Sequence, residues 1–267
     1  MTTENSRPLL GISVGDPAGI GPEITAKALA LPEIYKICRP LAVAEAEMMR
    51  AAVKFSGLTL DVHPVMSPQD GRYQVGTLDV LDLKNIESAS IVHKQVAAET
   101  GRASFEYVKK VVELALAKEI DATVTGPINK EAINTAGFHY AGHTEIYANL
   151  TNTKDYAMML MHENFRVIHV STHVSLREAL DRVKKDRILT VINLAHSTLQ
   201  RLGIEHPKIA VAGLNPHAGE SGMFGREEID EISPAIQQAV QQGLNVEGPV
   251  PPDTVFSKMA GGQYDIA

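Results

Sequence analysis

Six side chains stand where a sequence reading expects strands to give way to turns, and their types suit chemistry on an anion or a metal-held alcohol. His173 follows a strand-like Arg166–Val170 run and precedes a capped helix start at Ser175, with Glu178 at capping-box spacing. His217 follows the apolar Lys208–Leu214 run, in a turn of small residues, Asn215-Pro216-His217-Ala218-Gly219-Glu220. Two neutral imidazoles so placed can converge on one cation and leave a coordination position open for substrate. Each histidine alone reads equally well as a turn cap, and their matching placement favours a ligand role. His143 and Thr144 sit together in Gly142-His143-Thr144-Glu145, at an expected helix start whose free N–H groups favour a phosphate or carboxylate. A Thr144 helix cap is the competing reading. Lys130, in Thr125-Gly126-Pro127-Ile128-Asn129-Lys130, opens another helix, where a cation opposes the helix dipole; pairing with an anionic substrate group is one reason to keep it there, and simple solvation is the other. Asp253 closes a Pro-rich stretch as a metal-site partner, a base or a plain turn aspartate.

The elements that must position these residues alternate. The Leu9–Val14 run reads as a strand leading through a glycine-rich turn to a helix from about Pro22 to Leu31, with proline and an acid suiting the helix start. Residues 41–60 read as strand, helix and strand, His63–Gly71 as a loop, and Val92–Glu119 as a helix that Gly101 interrupts or bends. Phe105, Val108, Val112 and Ala115 give that helix one apolar face. Asp121–Thr125 reads as a buried strand, and Asn129–Ala136 as a helix ended by Gly137. Tyr156–Leu160 and Arg166–Val170 form a possible hairpin, a helix runs from Ser175 to about Leu202, and another spans Glu227–Gln242. Val246–Asp253 reads as a loop, and Gly262–Ala267 as the start of a buried strand. Such alternation predicts an α/β fold, its mostly parallel sheets covered by helices. A boundary near residue 126 divides it into a first domain, 1–125, and a second, 126–267.

Composition narrows the classes. The chain has 267 residues, 44% hydrophobic and 21% charged, enough apolar content for real cores. With 25 basic against 32 acidic residues and no basic stripe, nucleic acid is not an expected partner. Cys38 is the only cysteine, so no intrachain disulfide forms; with no apolar leader at Met1–Pro8 and no apolar run of membrane-spanning length, a cytoplasmic setting is expected. The Gly15–Gly21 turn matches neither the dinucleotide fingerprint nor the P-loop. His169 lies four residues before His173, but on a strand, and reads as structural.

Taken in order, Gly15-Asp16-Pro17-Ala18-Gly19-Ile20-Gly21-Pro22-Glu23, Thr125–Lys130, Gly142–Glu145, Ser171-Thr172-His173, Gly213–Glu220 and Gly248–Phe256 resemble the 4-hydroxythreonine-4-phosphate dehydrogenase family. Its branch acting on D-threonate and D-erythronate 4-phosphates is the nearer, from Asp155–Met158 and the Val-Ser-Thr-His-Val run. The resemblance implies a two-domain isocitrate/isopropylmalate-dehydrogenase-like fold and a homodimer with its active site in the cleft. It implies that His173 and His217 are metal ligands and that His143 and Thr144 bind substrate; Lys130 and Asp253 are expected to be catalytic. NAD would accept hydride from a secondary alcohol held by a divalent cation (zinc, cobalt, manganese or magnesium), and the β-keto acid formed would lose carbon dioxide. Family members continue further, with a third metal histidine in a Tyr-His-Asp-Gln-Gly segment, so a protein limited to these residues is expected to bind metal and NAD weakly and to have a damaged first domain. Other expectations are the 4-hydroxythreonine 4-phosphate reaction of pyridoxal phosphate synthesis, a metal-dependent hydrolase, and a non-catalytic remnant.

Overall fold

A computed structural model describes residues 7–267 and divides the chain into two compact units, Met1–Thr153 and Lys154–Ala267. The first unit holds β1 (Leu9–Ser13), α1 (Gly21–Leu29), α2 (Ile34–Ile37), β2 (Arg39–Ala44), α3 (Ala46–Phe55), β3 (Asp61–Val65), β4 (Thr77–Asp82), α4 (Ala98–Leu116), β5 (Ala122–Thr125), α5 (Lys130–Thr135) and α6 (His143–Leu150). Its sheet has the order β3-β4-β2-β1-β5, with every pair parallel. Leu41, Val43, Leu78 and Val80 are fully buried under α3 and α4, as expected of central parallel strands covered on both faces.

The helix α4 decides where the unit ends. Ala103, Tyr107, Val111 and Leu114 face the sheet core, while Phe105 and Val108 join Ile133 and Ile146 in a second cluster beneath α5 and α6. The helix runs unbroken from Ala98 to Leu116, and Gly101 does not interrupt it. A Cβ there would lie 2.1 Å from the Ala132 carbonyl oxygen, so the glycine lets α5 press against α4. The division expected at 125/126 therefore falls inside the first unit, because α4 has an apolar stripe on each side. Three further expectations change. The expected loop from His63 begins as the end of β3, β4 was not anticipated, and β5, read as buried, is a largely exposed strand that among the described residues pairs only with β1.

The second unit holds β6 (Met159–His162), β7 (Phe165–Ile168), α7 (Leu176–Asp181), α8 (Lys185–Arg201), β8 (Ile209–Ala212), α9 (Ser233–Gln241), β9 (Val246–Val250) and α10 (Pro252–Ala260). The hairpin β6-β7 is antiparallel, and β8-β9 is parallel. Residues 265–267 join these pairs. Ile168 N–H donates to the Ala267 carbonyl at 2.9 Å, Ala267 N–H to Arg166 at 3.0 Å, and Ala210 N–H to Ile266 at 2.9 Å. Ile266 is fully buried among Ile188, Ile192, Leu199 and Ile209, as the strand-like ending suggested. The helix expected from Ser175 to Leu202 is two helices, since Lys184 is extended at the start of α8 and Glu231 accepts from the Lys185 N–H at 2.7 Å. Residues 246–253, expected as a loop, form β9 and the first turn of α10. Proline is tolerated on an edge strand and favoured at a helix start. Among the described residues, no helix is long and apolar enough to cross a membrane.

Candidate active site

In the first unit the turns after β1 and β5 are locked backbone to backbone. Gly126 N–H donates to Ser13 O at 2.6 Å, and Asp16 N–H to Pro127 O at 2.9 Å. A Cβ on Gly126 would meet the Val14 carbonyl oxygen at 2.2 Å, and one on Gly15, whose φ is +89°, would meet Pro127 O at 2.3 Å. Buried Asp16 folds its own turn by accepting from the Ala18 N–H at 2.9 Å. These turns fix the take-off of α5, whose first turn Asn129 caps through the Ala132 N–H at 3.0 Å.

That take-off aims Lys130 at the start of α6. Its Nζ comes within 4.0 Å of the point where a Cβ on Gly142 would sit. Gly142 is extended and no side chain caps α6, so the first N–H groups of this helix keep their capacity for an anion; the Thr144 cap is not formed. His143 is half-buried. Burial holds its pKa below the ordinary histidine value, Lys130 adds to that, and a hydrogen bond with the Gly126 backbone opposes both. Its buried Nε2 has no partner among the described residues. The structure thus brings Lys130, His143 and Thr144 together, as a neutral imidazole, an amine and open amides around one spot, with the Glu145 carboxylate 3.6 Å from the same point.

In the second unit β7 and β8 both run parallel to residues 266–267, so the turns that follow them leave the same edge of the sheet. His173 stands in the first turn with φ 59°, exposed, just before Ser175 caps α7 by accepting from the Glu178 N–H at 3.2 Å. His217 stands in the second, in a run of five left-handed residues, His217–Ser221. Its ring is 63% exposed, and Nδ1 lies 2.8 Å from Glu220 Oε1. A carboxylate on Nδ1 leaves Nε2 for a cation, the arrangement that orients metal-bound histidines. The turns share a cavity of about 220 Å3 lined by Val170, Ser171, Gly213 and Leu214. Asp253, exposed in the first turn of α10, follows β9 at the same edge, and α10 packs against the His217 turn. His169 Nδ1 lies 3.2 Å from the Met158 carbonyl, in keeping with a structural role.

The donor chemistry fits a divalent cation in part: the turns that carry His173 and His217 share one cavity, though neither histidine lines it, and no group of three or more His, Cys, Asp or Glu able to hold a metal occurs among the described residues. Sequence reasoning missed Glu227 and Glu228, which hold the His217 turn. Their only signal was a pair of acids at a helix start.

A family model described as pyridoxal phosphate biosynthetic protein PdxA matches residues 36–267. The chain belongs to the PdxA family. A protein of Symbiobacterium thermophilum, provisionally named D-threonate 4-phosphate dehydrogenase, is 47% identical over 261 residues, which are 98% of this chain and 78% of that protein. One of the same provisional name from Oceanobacillus iheyensis is 44% identical over 266 residues, 98% of this chain and 79% of its own length. Among solved structures, a Klebsiella pneumoniae 4-hydroxythreonine-4-phosphate dehydrogenase superposes with a TM-score of 0.91 at 39% identity, over 98% of this chain and 79% of that one. The resemblance read from the motifs, the helix-covered, mostly parallel sheet and the dehydrogenase class of enzyme all agree with these findings.

Proposed function

We propose that the protein oxidises a 4-phosphorylated four-carbon hydroxy acid, D-threonate or D-erythronate 4-phosphate, with NAD as hydride acceptor and a divalent cation held by His173 and His217. The observation that carries this reading is the uncapped start of α6, where open N–H groups, the unpartnered His143 Nε2 and Lys130 meet. A phosphate monoester presents the charge and acceptor oxygens that suit the N–H groups and Lys130, while the Nε2 of a neutral His143 whose other nitrogen bonds the Gly126 backbone can accept from a substrate hydroxyl. The 47% identical relative's name supports the threonate substrate.

In this reading Thr144 and the α6 amides seat the phosphate, and His143 binds the substrate beside it. His143 is neutral near pH 7, so one nitrogen can donate while the other accepts. Lys130 offsets substrate charge at the same seat, and Asp253 accepts the alcohol proton as hydride leaves carbon. A bound zinc, cobalt, manganese or magnesium ion would polarise the alcohol and the ketone it becomes. NAD, when bound, would supply the hydride acceptor, and no residue of this chain is assigned to it. The β-keto acid formed then loses its carboxylate as carbon dioxide. A second substrate, 4-hydroxythreonine 4-phosphate, is favoured by the name of the 39% identical solved structure.

We also propose a cytoplasmic homodimer formed through the β6-β7 hairpin, where Leu160 and Met161 are 58% and 57% exposed. Sedimentation as a monomer at micromolar concentration would remove the dimer.

The deciding test follows NAD reduction by the purified protein with added divalent metal, offering each of the three phosphorylated substrates in turn. Turnover that a chelator and His217→Ala both abolish supports the reading, and the preferred substrate sets the branch. Phosphate release without NAD would instead make the site a hydrolase; a folded protein inert toward all three would make it a non-catalytic remnant.

A further inference from the structure

The buried acid Glu228 has no part in the chemistry above, yet both its carboxylate oxygens reach the turn that carries His217. Its side chain is 3% exposed. Oε1 accepts from the Leu214 N–H at 2.8 Å and from the Asn215 N–H at 2.7 Å, and Oε2 from Asn215 Nδ2 at 2.9 Å. The same Asn215 amide donates to Glu227 Oε2 at 2.7 Å, so two adjacent carboxylates grip one side chain. Gly219, the middle residue of the left-handed run, lies directly over the carboxylate: a Cβ there would sit 2.8 Å from Oε2. Glu228 also opens a single π-helical turn, Glu228–Ile232, before α9. Such wide turns commonly mark places where helix regularity is given up for a site.

The run of positive φ needs an explanation. Four of its five residues, His217, Ala218, Glu220 and Ser221, are not glycine. Each is strained in that region, and such strain persists only where surrounding structure over-determines it. The hydrogen bonds from Leu214 and Asn215 fix the entry to the run, and Gly219 on the carboxylate fixes its centre. Burial alone would favour the neutral acid, but the Asn215 and Leu214 hydrogen bonds outweigh it and hold the Glu228 pKa below the usual carboxylate value. With both oxygens so engaged, Glu228 is not itself placed to ligate.

We infer that Glu228, assisted by Asn215, is the positioning residue that locks the His217 turn in its left-handed form and so presents the histidine for cation binding. This rests on the proposed role of His217 as a metal ligand, and the test separates the two. Hydrogen exchange at the Leu214 and Asn215 amides reports the lock with no metal present, and calorimetric titration with Zn2+ reports the cation site. Glu228→Gln keeps the shape but removes the charge that both backbone N–H groups bond and sets an NH2 against the Asn215 amide donor. It is expected to speed exchange at both amides about tenfold or more and to weaken Zn2+ binding by about 10–100-fold, the range for residues that orient metal ligands. Glu228→Asp should recover part of both effects. If Glu228→Gln does not fold, Asn215→Ala, which leaves the carboxylate in place, should move both readouts the same way by about threefold. Unchanged exchange in these variants overturns the lock. Faster exchange with unweakened Zn2+ binding, where His217→Ala abolishes that binding, overturns its link to the cation. Zn2+ binding that His217→Ala leaves intact overturns the metal reading itself, while exchange still decides the lock.

Discussion

The β1/β5 turns of the first unit and the His217 turn of the second hold reactive side chains by opposite means. In the first, main chain touches main chain through Gly15 and Gly126, with no room for a Cβ at either. In the second, a strained main chain is gripped by Glu228 from the start of a helix. The first arrangement is rigid by exclusion, so its tolerance to substitution is small wherever the chain crosses. The second concentrates its stability in one acid and one amide, and can be loosened without unfolding the domain around it.

The largest expected effect tests the exclusion. Gly126→Ala puts a methyl 2.2 Å from Val14 O, and should cost about 3 kcal/mol or more, lowering the thermal midpoint by roughly 6–12 °C. A midpoint within about 2 °C of wild type would show that the turns can part. Next, His217→Ala should lower kcat/KM about 100-fold or more while the thermal midpoint stays within about 2 °C, since the ring is exposed. A comparable fall in both would mean that the histidine is structural.

Acidification sharpens the comparison, because His143 lies in the backbone-locked region. Its folded-state pKa is below its ordinary 6.5, chiefly through burial, so the unfolded chain takes up the proton first. The stability contributed by the neutral ring is complete above that value and is lost as pH falls below it. Urea midpoints of wild type and His143→Gln should therefore converge between about pH 7.5 and about pH 5.5. Parallel midpoints would show a ring that titrates alike in both states. The smallest effect is at Ser175, after His173. Removing its cap with Ser175→Ala should cost about 1 kcal/mol, read from the denaturation midpoint, without changing KM.

The same two regions show what a sequence discloses. The glycine turns, the Ser175 cap and the histidines at strand ends were legible, because local rules place them. That Gly15 and Gly126 face each other's loops was not, since it depends on β1 pairing with β5. Glu228 was hidden for a similar reason: its partners lie 13 and 14 residues upstream. Proline misled in one place, marking 246–253 as a loop when its edge position lets β9 form. The division near 126 was misplaced because one helix, α4, carries two apolar stripes, and a count of apolar residues on one face does not reveal the other.

The pairing of residues 265–267 between β7 and β8 bears on how the protein is made. The strands of the first unit's five-stranded sheet are all made once Thr125 has left the ribosome, and they can pair while synthesis continues. The second has to wait. Its hairpin and its parallel pair emerge early, but Asp265, at the head of the residues that stitch them together, is made 99 residues after Arg166, and until then the flanks of β7 and β8 stay bare. Those bare flanks are where a nascent chain of this sequence is most open to mispairing, and where a chaperone has the most to cover.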